Sequence, residues 1–324
     1  MDTVRWGIVG TGRMARTMAD EIGQLGDQGH ALAAVASRRI ERAREFAASR
    51  KACAVYDNVR GLAADTSVDA VYIATPPSEH AAAMLECVTA NKAVLCEKPF
   101  TLDADEAAQI AAEAKRREVF VMEAMWTRFL PAVERLRAIL ASGDLGHVRL
   151  VIGGGAFVPG YDPDNYLFDP TLGGGALLDA GVYLVSMASM ILGTPQRVLA
   201  TGAIGRTGID EQDVIVLEHG EASATLYISM RTRRAPDFEI LGEHGRVRLE
   251  PPMYRPTALS VWDANGALHV ENHPIDGTGY GAQLAAVAHA LRDGRRECAV
   301  MPLAESVRIM QTMDLVRTQV QRFT

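Results

Sequence analysis

A glycine-rich turn near the start of the chain limits the fold more than any other feature. The pattern G-x-G-x-x-A, from Gly10 to Ala15, follows an apolar run that begins at Arg5 and precedes a helical pattern. Gly10 allows a tight turn, and Gly12 lets a pyrophosphate approach the backbone. This context favours dinucleotide binding over a tight turn without a ligand. The cofactor residues predicted here are Gly10, Thr11, Gly12, Arg13 and Met14.

Short apolar runs alternate with amphipathic helical patterns through the first 123 residues. Such alternation is typical of βαβ units, whose strands form a parallel sheet. The predicted strands are Arg5–Val9, Ala31–Ala36, Ala70–Ala74, Ala93–Cys96 and Val119–Met122, and the helices are Met14–Gly23, Ile40–Ser49, Ser78–Ala90 and Ala104–Arg116.

After Glu123 the pattern changes to strands that follow one another through short glycine-containing turns, which predicts an antiparallel sheet. The predicted strands are Arg149–Ile152, Val214–Glu218, Ala222–Ser229, Phe238–Leu241 and Arg246–Leu249, and the helices are Pro131–Ser142, Ala176–Leu192, Gly281–Arg292 and Ala304–Arg322. We therefore expect two domains, 1–123 and 124–324, packed around a cleft.

Composition excludes several classes of protein. A length of 324 residues suits about two domains. The net charge of −7 disfavours nucleic-acid binding, and the four scattered cysteines indicate neither a disulfide framework nor a zinc site. The N-terminus lacks a signal-peptide pattern, and the apolar stretch 176–193 contains Asp179 and two serines, so it predicts a buried helix rather than a membrane span. A cytoplasmic protein is expected.

The end of the second predicted strand indicates which dinucleotide is bound. An NAD site usually carries an acidic residue there, whereas this chain continues as Ala36-Ser37-Arg38-Arg39. The guanidinium of Arg38 can hold a 2′-phosphate in a bidentate manner, and Ser37 can donate a hydrogen bond. The alternative is that these arginines form the solvated face of the next helix. We predict that NADP(H) is preferred, with NAD(H) as the other possibility.

Four further segments occur in a specific order along the chain. They are A-T-P-P-S-E-H from Ala74, C-E-K-P from Cys96, E-A-M-W-T-R-F from Glu123 and G-G-G-A-L-L-D-A-G-V-Y from Gly173. Together they resemble the Gfo/Idh/MocA oxidoreductase family over nearly the whole chain. The third and fourth segments are most similar to the branch of dimeric dihydrodiol dehydrogenases and NADP-dependent D-xylose dehydrogenases.

The resemblance implies an α/β fold with an N-terminal Rossmann dinucleotide-binding domain and a C-terminal α/β domain that contains an open, largely antiparallel sheet. It also implies that Thr75 and Pro76 line the adenosine side of the cofactor and that Glu97 and Lys98 lie beside the nicotinamide. A cis Lys98–Pro99 peptide bond is a further implication.

The chemistry of alcohol oxidation needs a base that takes the hydroxyl proton while hydride leaves the carbon. Asp179 and Tyr183 are four residues apart in a predicted helix and therefore project from one face. Most family members carry histidine at the position of Tyr183, and a free tyrosine titrates near ~10. Because an ammonium group would favour the phenolate, we expect Lys98 to tune Tyr183 and bind the substrate hydroxyl, while Asp179 orients the substrate or the lysine.

Several other residues have both a structural and a functional interpretation. His80 is first a structural residue of its helix and second a cofactor contact, and Arg128 is a candidate contact to cofactor or substrate. Trp126, Phe157 and Tyr280 offer flat apolar walls for a sugar ring or cyclic diol, although each is also suited to an ordinary core or interface. No histidine or cysteine spacing of a metal site is present.

These features predict an NADP-dependent oxidoreductase acting on a small sugar, polyol or cyclic trans-diol. The alternatives are an aldose–ketose oxidoreductase that retains its nucleotide and a non-catalytic dinucleotide-binding sensor. A methyltransferase would leave the E-K-P and Gly173–Tyr183 segments unexplained. Because one layer of helices cannot cover both faces of the second sheet, we expect a homodimer, with a tetramer as the alternative.

Overall fold

The computed structural model describes residues 3–50, 53–162 and 164–320. It divides into two compact units, each with its own sheet. Unit 1 comprises Met1–Trp126 and Tyr280–Val307, and unit 2 comprises Thr127–Gly279 and Arg308–Thr324. Residues 280–307, which the sequence pattern assigned to the second domain, therefore pack in unit 1. Helix α8 (Gly281–Arg292) lies against the first helix there, and Arg292 donates to the carbonyl of Gln28 at 3.2 Å.

Unit 1 contains a parallel sheet of six strands in the order β3-β2-β1-β4-β5-β6, with every neighbouring pair parallel. This is the doubly wound order that the βαβ alternation predicts. The strands are β1 (Val4–Val9), β2 (His30–Ala36), β3 (Ala54–Tyr56), β4 (Ala70–Ile73), β5 (Ala93–Cys96) and β6 (Val121–Glu123), and the helices are α1 (Arg13–Gln24), α2 (Ile40–Ala48), α3 (Val59–Ala64), α4 (His80–Thr89) and α5 (Ala104–Arg117).

The central strands of this sheet are apolar because helices cover both faces. All residues of β4 and β5 are buried. Helix α5 shows how its boundaries arise: the side chain of Asp103 accepts a hydrogen bond from the Glu106 N–H, and basic residues occupy the last turn. The carboxyl ends of β1, β4, β5 and β6 meet at one edge of the sheet, so the segments that follow them come together.

Unit 2 contains a mixed sheet of eight strands in the order β14-β13-β12-β11-β7-β10-β9-β8. Strand β7 pairs with β10 in parallel, and the other neighbouring pairs are antiparallel. The observed sheet is therefore largely antiparallel, as the sequence predicts. The strands are β7 (Val148–Ala156), β8 (Arg197–Ile204), β9 (Asp210–His219), β10 (Ala222–Ser229), β11 (Arg234–Gly242), β12 (Arg246–Leu249), β13 (Ala258–Trp262) and β14 (Leu268–Asn272).

The helices of unit 2 include α6 (Pro131–Ser142) and α7 (Val182–Leu192), and α9 spans Leu303–Val320. The single helix predicted over 176–192 is wrong in its first part, because Leu177–Gly181 form one π-helical turn before α7 begins. Such turns frequently occur at functional sites. The predicted end of the last helix at Arg322 falls outside the described residues.

In the part of the chain that the structure describes, one helical stretch, Pro170–Leu192, is long and apolar enough by composition to cross a membrane, and 61% of its most apolar segment is buried inside the protein. A core helix of a globular protein passes the same test. This burial agrees with the interpretation of the segment as a core helix.

Candidate active site

The glycine turn after β1 leaves space and hydrogen-bond donors at the start of α1. Gly10 has φ +107°, and a Cβ at this position would lie 2.6 Å from the carbonyl oxygen of Ala74. A Cβ at Gly12 would meet no described atom within 4 Å, and Gly12, the N-cap residue of α1, has no side chain that could cap the helix. The first N–H groups of α1 are thus open to an anion, because an uncapped helix start leaves them without intrahelical partners.

The segment after β4 approaches this turn and carries a buried hydroxyl. The Oγ1 atom of Thr75 is shielded from solvent and has no hydrogen-bond partner among the described residues. A buried hydroxyl without a partner is costly, so this atom fits a bound ligand that supplies one. The open glycine turn and Thr75 therefore fit a dinucleotide, which the G-x-G-x-x-A pattern predicts.

His80 connects the backbone segments that follow β4 and β5. Its Nε2 lies 3.0 Å from the carbonyl oxygen of Thr75, and its Nδ1 lies 2.9 Å from that of Pro99. Burial lowers the pKa of the imidazole, and a neutral ring can donate to one of these carbonyls at a time. These bonds favour the structural interpretation of His80, and direct contact with the cofactor stays a prediction.

Ser37 and Arg38 follow β2, next to the glycine turn, since the N–H of Gly10 donates to Ala36 at 2.9 Å. The side chain of Arg38 is 81% exposed, and its guanidinium forms an ion pair with Glu79 at 2.8 Å. Glu79 belongs to the A-T-P-P-S-E-H segment, but its pairing with Arg38 was not predicted, because the two residues follow different strands, β2 and β4. A carboxylate thus lies beside the guanidinium that was predicted to hold a 2′-phosphate.

The E-K-P segment follows β5 and holds a buried carboxyl group. The hydroxyl of Tyr72, on β4, donates to Glu97, and both side chains are buried. Desolvation raises the pKa of Glu97, while Lys98 and Arg13 act in the opposite direction. The Lys98–Pro99 peptide bond is cis, as the resemblance implied. Burial also raises the pKa of Tyr72 well above its ordinary value, so its hydroxyl remains a donor.

Two of the three candidate aromatic wall residues pack against each other in unit 1. The ring centroids of Trp126 and Tyr280 are 4.5 Å apart, and Trp126 is buried. Tyr280 also contributes to the raised pKa of Tyr72, which places its hydroxyl near the Tyr72–Glu97 pair. A role of these two rings as substrate walls stays a prediction.

Asp179 lies in the π-helical turn, and Tyr183 lies in the first turn of α7. The carboxylate of Asp179 accepts a hydrogen bond of 2.7 Å from the hydroxyl of Tyr166. The ring of Tyr183 packs at 6.0 Å from that of Tyr254. Both candidates are half-buried, so each keeps part of its surface open to solvent. Sequence reasoning found neither Tyr166 nor Tyr254, because no motif marks them.

Arg128 and Phe157 occupy different environments in unit 2. The guanidinium of Arg128 is buried and donates through Nε to the Ser186 hydroxyl at 2.9 Å, so it links the segment before α6 to α7. Phe157 follows β7, is half-buried, and donates its N–H to the carbonyl of Ser229 at 2.9 Å. Contact of either residue with cofactor or substrate stays a prediction.

Within residues 3–50, 53–162 and 164–320, no cluster of three or more histidine, cysteine, aspartate or glutamate side chains has the arrangement of a metal site.

Comparison with known proteins defines the class. The family model of the Gfo/Idh/MocA oxidoreductases with an NAD-binding Rossmann fold matches residues 4–125, and the model of the C-terminal domain of the same family matches residues 133–248. The chain belongs to the Gfo/Idh/MocA oxidoreductase family, and it is an NAD(P)-dependent enzyme acting on hydroxyl or keto groups.

Among curated relatives, the chain is 35% identical to human trans-1,2-dihydrobenzene-1,2-diol dehydrogenase over 97% of this chain and 96% of the human protein. It is 34% identical to the mouse enzyme of the same name, again over 97% and 96% of the two chains. The similarity thus extends through both units.

Solved structures of the same fold also match. An NAD-binding oxidoreductase from Klebsiella pneumoniae has a TM-score of 0.89 at 21% identity and covers 100% of this chain and 98% of its own. KijD10, a 3-ketoreductase from Actinomadura kijaniata determined in complex with NADP and TDP-benzene, has a TM-score of 0.86 at 25% identity over 98% of both chains. These matches agree with the Rossmann fold of unit 1 and the mixed sheet of unit 2.

Proposed function

We propose that this protein is an NADP(H)-dependent oxidoreductase that transfers hydride between the nicotinamide and a secondary alcohol or carbonyl of a small ring. Cyclic trans-diols are the first substrate class, followed by small sugars and polyols. The observation that carries the proposal is the 35% identity to a trans-dihydrodiol dehydrogenase over 97% of the chain.

The preference for NADP(H) over NAD(H) is supported by the residues after β2. Ser37 and Arg38 occupy the position at which an NAD site usually carries an acidic residue. Arg38 is exposed and lies next to the glycine turn, so an added phosphate can reach its guanidinium and compete there with the Glu79 carboxylate. The structurally similar KijD10 binds NADP in its crystal structure, which agrees with this preference.

The chemistry is assigned to three side chains. The bound nicotinamide supplies the hydride acceptor or donor. Tyr183 takes the hydroxyl proton during oxidation and returns it during reduction. Lys98 binds the same hydroxyl and favours the phenolate of Tyr183, because a nearby positive charge stabilises the deprotonated form. Asp179, held by the Tyr166 hydroxyl, orients the substrate or the lysine.

Aromatic side chains suit the ring of the proposed substrates. Trp126 and Tyr280 present a packed pair of rings in unit 1, and Phe157 is half-buried in unit 2. Flat apolar surfaces bind the faces of sugar rings and cyclic diols, while polar groups recognise their hydroxyls.

Turnover with a substrate panel tests the proposal. Formation of NADPH is followed at 340 nm with cyclic trans-diols, aldoses, inositols and other polyols, and each substrate is also run with NAD. Turnover of one class with NADP favoured is the expected result. Purified protein that carries bound nucleotide and interconverts two sugars without added cofactor would instead support an aldose–ketose oxidoreductase. Tight NADPH binding without turnover on any substrate would support a sensor.

A homodimer is proposed from the uncovered face of the sheet in unit 2. The strand register places five exposed apolar side chains on one face, while α7 packs on the other. These residues are Ile152, Leu199, Val214, Leu268 and Val270. A second copy would bury this face, and a tetramer is the alternative assembly.

The cytoplasm is the proposed location. All four cysteines are free thiols, and Cys87, Cys96 and Cys298 are buried. Free thiols are typical of proteins that work in a reducing compartment.

A further inference from the structure

Two aspartates of β9 lie against the π-helical turn that carries Asp179. The Oδ2 atom of Asp210 accepts a hydrogen bond of 2.6 Å from the N–H of Leu177, the first residue of that turn. The N–H of Ala176 also donates to Asp210. Because these N–H groups lie at a helix start, a negative carboxylate is the group that satisfies them best. Asp210 therefore acts as the cap of the turn from a distant strand.

The surroundings of the second aspartate, Asp213, do not stabilise a negative charge on its carboxyl group. It is 0% exposed, and neither carboxyl oxygen accepts a hydrogen bond from an N–H or O–H group of the described chain. The ionisable group that acts on it is the carboxyl of Asp210. Two buried carboxyls side by side do not both ionise, so one proton is held between them.

The sequence keeps space for both carboxyl groups. A Cβ at Gly175, which has φ +117°, would lie 2.2 Å from Oδ1 of Asp210. A Cβ at Gly202 on β8 would lie 2.6 Å from Oδ1 of Asp213. Since both distances are far below van der Waals contact, glycine at these two positions is required for the carboxyl pair to fit.

We propose that Asp210 and Asp213 form a proton-sharing carboxyl pair that positions the Leu177–Gly181 turn, and with it Asp179 and Tyr183. The importance of this for activity rests on the proposed function, because that function makes Asp179 and Tyr183 the acting groups. Asp210 holds the turn as an anion, and the proton on Asp213 removes the second charge that would repel it. Both aspartates are thus positioning residues that act through the turn.

The electrostatics of the site agree with this arrangement. Burial and the neighbouring Asp210 raise the pKa of Asp213 to about 9. Burial also raises the pKa of Asp210, whereas its bonds to the backbone N–H groups lower it. Asp213 pairs across the sheet with two uncharged residues, Gly202 on β8 and Ile228 on β10, and the uncharged Val320 on α9 lies beside Gly202. Asp213 is therefore the protonated member at neutral pH.

The proton on Asp213 affects stability whether or not the protein is catalytic. Between the ordinary pKa of aspartate and about 9, the folded protein holds one proton that the unfolded chain has released. The contribution of Asp213 to stability is complete below that window and is lost as the pH rises through it. In Asp213→Asn, the amide resembles the neutral acid and cannot ionise.

The first experiment measures the free energy of unfolding from pH 5 to pH 10 for the wild type, Asp213→Asn and Glu211→Gln. The last variant removes a half-buried carboxylate of the same strand, which lies 3.8 Å from Arg231. We expect the wild type and Glu211→Gln to lose stability relative to Asp213→Asn with a slope of about one proton, levelling above pH 9. Parallel curves for the wild type and Asp213→Asn would overturn the proton-sharing pair.

The second experiment measures kcat and KM against pH with the substrate found in the panel assay. Ionisation of Asp213 repels Asp210, so the wild type is expected to lose kcat above about pH 9, and Asp213→Asn should move this loss to higher pH. Asp210→Asn should lower kcat at least tenfold at neutral pH with a smaller change in the KM for NADP. Unchanged kcat in folded Asp210→Asn would overturn the positioning role.

The two experiments separate the two proposals. If the wild type shows no turnover on any substrate, the proposed function fails, while the unfolding curves still decide whether the carboxyl pair shares a proton. If Asp210→Asn does not fold, the pH profile of Asp213→Asn carries the test of positioning, because that variant retains the cap.

Discussion

At the residue scale, the proposed function assigns the proton transfer to the hydroxyl group of Tyr183. Tyr183→Phe should lower kcat by about 10²- to 10⁴-fold, which is the usual contribution of a general acid or base. The dissociation constant of NADPH should change little, because the phenol is not assigned to cofactor binding. Steady-state kinetics and NADPH fluorescence titration measure the two effects. Tyr254→Phe, whose ring packs at 6.0 Å from Tyr183, is the matched control.

Substantial activity in Tyr183→Phe would transfer the acid/base role to Lys98. Lys98→Met then distinguishes the two possibilities, because it removes the ammonium group while it keeps an unbranched side chain. Loss of turnover in Lys98→Met together with retention of turnover in Tyr183→Phe would contradict the assignment of the proton transfer to Tyr183.

The ion pair between Arg38 and Glu79 leads to a prediction about cofactor choice. A 2′-phosphate would compete with the Glu79 carboxylate for the guanidinium and would be repelled by it. Glu79→Gln should therefore tighten NADP binding by about two- to fivefold, the range expected for one exposed charge pair, and leave NAD binding unchanged. Isothermal titration with both nucleotides measures this.

Arg38→Ser should weaken NADP binding by about tenfold or more, because a hydrogen bond to a charged group contributes about 1.5–3 kcal/mol. Arg44→Ser makes the same change of charge on the exposed face of α2 and serves as the control. Equal loss of NADP and NAD affinity in Arg38→Ser would show that Arg38 does not recognise the 2′-phosphate.

At the element scale, the hydrogen bond between Tyr72 and Glu97 ties the end of β4 to the segment after β5. Tyr72→Phe removes this donor from a buried carboxyl, which should cost about 1–3 kcal/mol of stability. Tyr56→Phe removes a similar bond, from the Tyr56 hydroxyl to Asp65 at 2.9 Å, at a half-buried site, and should cost less. Urea unfolding of both variants measures the difference. Equal losses of unfolding free energy would mean that burial of Glu97 does not increase the contribution of its hydrogen bond to stability.

Elements with a continuous apolar run could be predicted from the sequence. Elements whose determinants lie in another part of the chain could not. Strands β4 and β5 are continuous apolar runs, so they were predicted almost to the residue. Strand β14 has mostly exposed side chains and carries little signal. The π-helical turn is capped by Asp210 from another strand, and no local pattern contains that information.

The same division holds for the candidate site. The positions of Gly10, Gly12, Thr75 and Lys98 follow from motifs, because the carboxyl ends of parallel strands meet at one edge. The roles of Glu79, Tyr72 and Asp210 could not be predicted this way. Each acts through a partner that is distant in sequence, and pairing of this kind becomes visible only after the chain has folded.

At the scale of the whole molecule, the uncovered sheet face of unit 2 predicts the oligomeric state. Ile152→Lys or Val270→Lys should convert a dimer into a monomer, because a lysine in an apolar interface is left with an unpaired charge. Leu315→Lys makes the same change at an exposed leucine of helix α9, which is not a residue of this sheet face, and should leave the dimer intact. Size-exclusion chromatography with light scattering measures the mass. A monomeric wild type would contradict the prediction.

The environment of the native thiols makes this chain suitable for site-specific chemical labelling. Partial burial raises the pKa of Cys53 to about 11, burial raises that of Cys87 to about 12, and Cys96 and Cys298 are buried as well as Cys87. Maleimides react with thiolates, so these native side chains should react slowly at neutral pH. One cysteine introduced at an exposed site, such as Tyr161→Cys, would therefore carry a fluorophore without prior removal of the others.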